Sequence, residues 1–224
     1  MNTTPKIYFE DNHLLVAHKP ENIPVQGDKS GDSDLLNTLK EYIKQKYGKP
    51  GNVFLGLVHR LDRPVHGIIV FARTSKAASR LSDQFRNRTV VKKYLVIVEG
   101  RAEKTGRLEH ELDKDHDSNI VTVYPAGSGK GKPASLTFRL ISHKNGLSLI
   151  EVELETGRPH QIRVQLAASG LPVWGDYKYG KKQPDGRRIA LLSYSLEFDH
   201  PTRAERMRFK CDKPAGEPWD QFSI

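Results

Sequence analysis

Residues 53–72 read Val53-Phe54-Leu55-Gly56-Leu57-Val58-His59-Arg60-Leu61-Asp62-Arg63-Pro64-Val65-His66-Gly67-Ile68-Ile69-Val70-Phe71-Ala72. Val53–Val58 and Gly67–Ala72 are short apolar runs, and they read as buried strands flanking a polar loop, His59 to His66. Upstream lie two further apolar stretches, Ile7–Phe9 and Leu14–Ala17, around the turn Glu10-Asp11-Asn12; Lys19-Pro20 and Pro24 then break regular structure. Leu35, Leu36, Leu39, Tyr42, Ile43 and Tyr47 recur at helical spacing, with Asp32 or Ser33 as cap and Gly48 and Pro50 as the stop. After the strand pair, Thr74 or Ser75 caps a second helix with Ala77, Ala78, Leu81 and Phe85 on its apolar face and Arg80, Arg86 and Arg88 on the other.

Further along, Tyr94, Val96 and Val98 point one way and Leu95 and Ile97 the other, which predicts a strand over Lys93–Val98. Residues 113–133 are polar, with Gly127, Gly129 and Gly131, and read as a mobile hairpin or loop. Ile150, Val152 and Leu154 alternate with Glu151, Glu153 and Glu155, as in a half-buried strand. Pro159 suits the first turn of a short helix that closes near Gly170. A last strand is predicted over Ile189–Phe198, before a tail that ends in Trp219 and Phe222. Strands outnumber helices and do not alternate with them regularly. That pattern predicts an α+β fold, a mixed, largely antiparallel sheet flanked by helices.

The chain has 224 residues, 28% charged and 37% hydrophobic, enough to bury a sizeable core as one domain over 1–224. No apolar run approaches the roughly 20 residues that cross a bilayer. The N-terminus lacks the apolar core of a signal peptide. Cys211 is the single cysteine, which excludes an internal disulfide framework and a cysteine-cluster zinc site. A reducing, cytoplasmic address is the expectation. Lys plus Arg outnumber Asp plus Glu by 36 to 27, a net charge of +9 and a pI near 9.5, which suits a nucleic-acid partner.

Two constellations could carry chemistry. In the 57–67 segment Asp62 stands between Arg60 and Arg63, which favour its ionised form, while Pro64 and Gly67 tighten the loop. A structural ion pair in a surface turn is the other reading of the same residues. In Glu155-Thr156-Gly157-Arg158-Pro159-His160-Gln161-Ile162-Arg163, a helix begun at Pro159 would put His160 and Arg163 on one face, with arginines and free N–H groups at its start. An amphipathic helix with a basic N-terminus accounts for that segment equally. The run Gly127-Ser128-Gly129-Lys130-Gly131-Lys132 fails the spacing of a phosphate-binding loop and reads as a flexible basic loop that touches RNA. No HExxH or paired histidine set points to a metal, and His110 and His116 read as solvated.

His59-Arg60-Leu61-Asp62 followed by Gly67 resembles the signature of the RluA family of RNA pseudouridine synthases. Gly157-Arg158-x-His160-Gln161-Ile162-Arg163 resembles its second hallmark, and Pro172-Val173-x-Gly175-Asp176 with Tyr179-Gly180 the segment after it. Asp11, Leu14-Leu15-Val16 and Lys19-Pro20 are similar to the family's opening strands, and Lys92-Lys93-Tyr94-Leu95 to its lysine–tyrosine strand. The matches keep the family's order from about Asp11 to the end.

The resemblance implies an enzyme that isomerises uridine in tRNA or rRNA to pseudouridine without cofactor or metal. It implies Asp62 as the catalytic aspartate, Tyr94 as the tyrosine that stacks on the uracil and Arg163 as the arginine that pairs with the aspartate. Arg60 is similar to the residue that fills the space of the extruded base. Arg158, His160 and Gln161 are expected to support the site or contact RNA, as are Arg63, Lys92 and Lys93. A monomer without the small N-terminal RNA-binding domain of many relatives is expected. RNA recognition then falls to the catalytic domain itself, with Arg80, Arg86 and Arg88 among the candidates. Val65-His66 stand where the family has Thr-Ser, Pro159 where Thr or Ser is common, Gln165 where His is common and Asn22 where Gly is frequent. Val65 and His66 keep one alternative open, an RNA-binding protein or chaperone that retained the fold without the chemistry; residue types alone leave another, a glycoside hydrolase with Asp62 as one carboxylate and Glu151, Glu153 or Glu155 as the second acid.

Overall fold

The computed structural model of the chain describes residues 5–28, 30–115, 117–180 and 188–223. In chain order its elements are β1 (Ile7–Glu10), β2 (Leu14–Lys19), α1 (Leu35–Lys46), β3 (Gly56–Leu57), β4 (His66–Ala72), α2 (Ser75–Arg86) and β5 (Val91–Glu99). There follow β6 (Thr105–Lys114), β7 (Val121–Pro125), β8 (Lys132–Lys144), β9 (Leu147–Leu154), α3 (Gln161–Ala168), β10 (Leu191–Asp199), β11 (Arg206–Lys210) and a 3-10 turn at Trp219–Gln221. The chain divides into two compact units, Met1–Val91 with Ser193–Cys211, and Lys92–Leu192 with Asp212–Ile224.

In the first unit the strand order is β1-β2-β4-β10, with β3 beside β4 and β11 beside β10. Leu14, Leu15, Val16 and Ala17 of β2 are fully buried, and every residue of β4 is buried. Such uninterrupted apolar strands are what a sheet covered on both faces requires. α1 is capped by Asp34, whose side chain accepts from the Asn37 N–H, rather than by Asp32 or Ser33. Thr74 caps α2 as expected, accepting from the Ala77 N–H. The strand expected over Val53–Val58 is confined to Gly56–Leu57.

The second unit is an antiparallel sheet in the order β5-β9-β8-β6-β7. Tyr94 faces Val152 across β5 and β9, and Leu112 faces Val123 across β6 and β7. The 113–133 region is more ordered than its polarity suggests. β7 pairs in register with β6, and Leu112, Val121, Ala134 and Val164 form a small core with Val123 and Tyr179 packed against it. The short helix starts at Gln161, later than Pro159 predicts, because His160 takes a left-handed φ of 52°. His160 therefore lies outside α3 and shares no helix face with Arg163. Trp174, Trp219 and Phe222 are core residues.

Candidate active site

In the first unit Asp62 lies in the loop between β3 and β4, at intermediate exposure. Its loop closes on itself: the Val65 N–H donates to the Asp62 carbonyl at 3.0 Å. Beneath it lies Lys19, the last residue of β2 and fully buried. The Lys19 ammonium donates to the carbonyl oxygens of Pro20 at 2.9 Å, Arg63 at 2.8 Å and Val65 at 2.6 Å. Burial is the largest influence on this ammonium and pushes its pKa down from 10.5 to about 7, against the pull of the Asp62 and Glu21 carboxylates, with Arg63 adding to the downward push. Lys19 thus fixes the backbone that carries Asp62 and places a cation in its field. Sequence reading missed this role; the signal was a lysine at the end of a strand that opens with the apolar run Leu14–Ala17.

The other residues of the loop divide by role. His59 Nε2 accepts from the Val70 N–H at 3.1 Å, and its ring stacks on Phe85 at 4.7 Å, so it anchors the loop. Arg60 is exposed. Arg63 is tied to its own unit: Nε donates to the Asn22 carbonyl at 3.1 Å, Nη1 to Ser30 Oγ at 3.2 Å and Nη2 to Asp32. Val65 and His66 are buried, and His66 Nε2 lies 3.7 Å from Glu21 Oε1. Gly67 has φ +117°, and a Cβ there would overlap the Ser193 carbonyl and lie 2.8 Å from its nitrogen. Only glycine fits, which gives a steric reason for that position of the signature.

In the second unit the 155–163 segment is locked by its own side chains. Gln161 is buried; its Oε1 accepts from Thr156 Oγ1 at 2.8 Å and the Arg158 N–H at 2.9 Å, and its Nε2 donates to the Ser135 carbonyl at 3.0 Å. Arg158 Nε donates to the Pro133 carbonyl at 3.0 Å. His160 Nδ1 lies 2.6 Å from the Tyr179 hydroxyl, which also accepts from the Val121 N–H at 2.9 Å. Arg163 is buried and makes a bidentate pair with Asp176, Nε to Oδ2 at 2.8 Å and Nη2 to Oδ1 at 2.7 Å. Tyr179 lies under the same guanidinium, its ring centre 5.3 Å from Cζ. Asp176 and Tyr179 are supporting residues that sequence reading had left inside a motif without a role.

The turn that presents them depends on glycine. Gly175 has φ +75°, where a Cβ would lie 2.9 Å from the Arg188 carbonyl carbon; one at Gly180 would lie 2.7 Å from the Asp176 carbonyl oxygen.

Tyr94 is buried on β5. Lys92 reaches the Thr156 carbonyl at 3.5 Å, and Lys93 pairs with Glu151 at 3.5 Å and Glu153 at 3.8 Å. Glu155 takes both ends of Arg107. These glutamates are held in ion pairs along one sheet face, and none is poised as a second acid. The glycine–lysine loop is held by Glu111, whose carboxylate accepts from the N–H groups of Gly127 at 3.1 Å, Lys130 at 2.9 Å and Gly131 at 3.2 Å, and from Ser128 Oγ at 2.8 Å. The N–H groups of this glycine turn converge on the Glu111 carboxylate, so the loop is ordered rather than simply flexible. His110 is not simply solvated, since its Nδ1 lies 3.0 Å from Gln165 Nε2. His116 lies outside the described residues. Among the described residues no group of His, Cys, Asp and Glu is arranged to hold a metal ion.

A family model described as RNA pseudouridylate synthase matches residues 13–168, from the start of β2 through α3 and across both units. The chain belongs to this family. It is 34% identical over 221 residues to ribosomal large subunit pseudouridine synthase D of Nitrosomonas europaea, covering 93% of this chain and 62% of that protein. It is 34% identical over 214 residues to YlyB of Bacillus subtilis, named an uncharacterized RNA pseudouridine synthase, covering 93% and 69%. Synthase C of Haemophilus influenzae is 33% identical over 219 residues, covering 92% and 64%. The chain therefore spans 62–69% of the length of these curated relatives. They agree with the RluA family that the motifs indicate.

Two solved structures share the fold of this family member. Human RNA pseudouridylate synthase domain containing 4 superposes with a TM-score of 0.77 at 24% identity, covering 93% of this chain and 88% of that one. Human RNA pseudouridylate synthase domain containing 1 gives 0.72 at 25%, covering 94% and 84%. The α+β synthase fold expected from the sequence is the fold of the chain.

Proposed function

We propose that this chain isomerises a uridine in structured RNA to pseudouridine, with Asp62 as the catalytic carboxylate and no cofactor. The observation that carries this reading is the Lys19-braced loop. Within the family match, Lys19 ties the Arg63 and Val65 carbonyls on the C-terminal side of the partly accessible Asp62. A preset carboxylate is what attack on a flipped nucleotide needs, because reorganisation would add to the barrier.

A stacked uridine exposes neither C1′ nor C5, so the base must leave the helix, at a cost of about a few kcal/mol. Arg60, exposed beside Asp62, is proposed to fill the vacated stack. As the C1′–N1 bond breaks, positive charge develops on the sugar and negative charge on the uracil; the Asp62 carboxylate answers the former. The uracil turns, C5 bonds to C1′ as the Asp62 carboxylate is released, the C5 proton leaves to solvent and N1, left anionic by the cleavage, takes a proton up. Tyr94 and Arg163 keep the parts that the family resemblance gives them. Gln161, Arg158 and His160 shape the 155–163 segment, and Lys92 supports it.

We further propose that 1–224 acts as one catalytic domain, as a cytoplasmic monomer. Ribosomal RNA is the proposed substrate class, on the names of relatives such as the Nitrosomonas europaea and Haemophilus influenzae synthases. The Val65-His66 replacement does not favour the non-catalytic alternative, because both side chains are buried and pack behind the loop. Incubating the chain with ribosomal RNA transcripts carrying 5-tritiated uridine tests the proposal. Release of tritium to water is expected; none from any ribosomal or transfer RNA would overturn it.

A further inference from the structure

The first unit carries 18 basic against 12 acidic residues, the second 18 against 15, so the excess positive charge is concentrated on the first. Part of it lies on and after α1, where Lys44, Lys46 and Lys49 are exposed. The connection from α1 to β3 reads Tyr47-Gly48-Lys49-Pro50-Gly51-Asn52-Val53-Phe54. Tyr47 is 48% exposed and Phe54 52%, two large aromatic residues left open by the fold within one short segment.

Tyr47 is also held still. Its hydroxyl donates to Glu10 Oε1 at 2.8 Å, and the Arg73 guanidinium lies 4.9 Å from its ring centre. Glu10 is itself fixed by Tyr42 at 2.9 Å, Lys46 at 2.7 Å and Arg73 at 3.1 Å. Burial pushes the Glu10 carboxyl up, and the hydrogen bonds and charge of these neighbours more than reverse that, so it stays ionised below the ordinary carboxylate range. An exposed aromatic ring usually costs solvation without return. One bolted at its hydroxyl, backed by Arg73, with Lys46 5.5 Å from its ring centre and exposed Lys44 and Lys49 nearby in sequence, is instead a ready stacking surface for a base beside its phosphates.

We propose that the 47–54 connection is an RNA-docking element, with Tyr47 and Phe54 stacking on unpaired bases outside the target uridine and Lys44 and Lys49 meeting the adjoining phosphates. The inference rests on the proposed RNA activity and assigns it a binding surface formed by α1 and the connection after it. RNA fits this surface better than an acidic peptide, because flat, half-open rings interleaved with cations match alternating bases and phosphates.

The test uses the full chain and a fluorescein-labelled 16-nucleotide single-stranded oligouridylate. Tyr47→Ala and Phe54→Ala are each expected to weaken binding about fivefold or more. Lys44→Gln with Lys49→Gln should lower the slope of log affinity against log salt by about 1.4. Tyr47→Phe keeps the ring and should bind within about twofold of the parent, separating stacking from the Glu10 anchor. With 4-thiouridine in the probe, irradiation should join it to the peptide holding residues 47–54. In tritium-release assays the Ala variants should raise KM and leave kcat near the parent value. Unchanged affinity and crosslinks only elsewhere, from a parent that still releases tritium, would overturn the docking element and leave the activity standing. Parent binding at this segment without tritium release would overturn the activity and leave the element.

Discussion

The Lys19 ammonium and the Val65 carbonyl oxygen lie 2.6 Å apart, a buried contact between the end of β2 and the loop that carries Asp62. The same ammonium also donates to the carbonyls of Pro20 and Arg63, so one lysine fastens that loop to the end of β2. Lys19→Met keeps the stem and removes the donors, leaving buried carbonyls unsatisfied. Urea unfolding should show a loss of roughly 2–3 kcal/mol. Steady-state assays should show kcat down about tenfold or more with KM little changed, since the displaced carboxylate makes its contact with the developing charge only in the transition state. Unaltered kcat in a folded Lys19→Met would remove Lys19 from the positioning machinery.

The same lysine gives a dependence on pH with opposed signs. Its folded-state pKa of about 7 lies below its ordinary 10.5. Between these values the unfolded chain holds a proton that the folded chain has lost, so the Lys19 contribution to stability rises with pH across that window. Activity should move the other way. A neutral amine has one donor fewer for three carbonyls and no charge beside Asp62, so kcat should fall as pH rises through about 7. Lys19→Met should lack that limb of the kcat profile.

Gly67→Ala should damage the fold directly. The residue sits at φ +117° with the Ser193 backbone where a Cβ would go. Chemical denaturation should report a loss of roughly 3 kcal/mol or more. Gly127→Ala, at φ +79° but in open space, should cost clearly less.

Arg163 and Asp176 form a buried bidentate pair. Asp176→Ala should destabilise the chain by about 3–5 kcal/mol, by breaking this buried pair. The double variant Arg163→Met, Asp176→Leu should recover most of that stability and none of the tritium release. Arg163→Lys should not restore activity, because an ammonium cannot make the fork contact.

Glu111 should govern the order of the 125–131 turn. Its Ser128 and backbone hydrogen bonds, led by the Ser128 hydroxyl, hold its carboxyl below the ordinary 4.5 despite desolvation. Its contribution is full above 4.5 and is lost as pH falls through the lower folded-state value. Amide exchange at Gly127, Lys130 and Gly131 should quicken in Glu111→Ala, and in the parent at acid pH, while β5 and β9 stay protected. Equal protection in the variant would assign the turn to the glycines alone.

Elements whose apolar pattern matched their burial could be read directly: β2, β4, β5, β9, α1 and α2. The β6–β7–β8 region was legible only in part: Ala134, Leu136 and Phe138 do alternate with Ser135, Thr137 and Arg139, but the order of the polar 125–131 turn comes from a carboxylate inside it, which makes no periodic signal. The start of α3 was missed because a left-handed His160 follows Pro159, and proline at a first turn looks the same whether or not the helix begins there. Asp62 stood out by its arginine neighbours, yet Arg63 turns out to bind Asp32 and the Asn22 carbonyl. Lys19 in the first unit, and Asp176 and Tyr179 in the second, each act through partners that no local pattern announces. Only the fold brings those partners together.

The most direct test of the account replaces one oxygen. Asp62→Asn preserves the size of the side chain and removes its charge and nucleophile. The parent should release tritium from 5-tritiated uridine RNA and the variant should release none, while both bind that RNA with affinities within about twofold. Equal release by the two proteins would contradict the assignment of Asp62 as the reacting group.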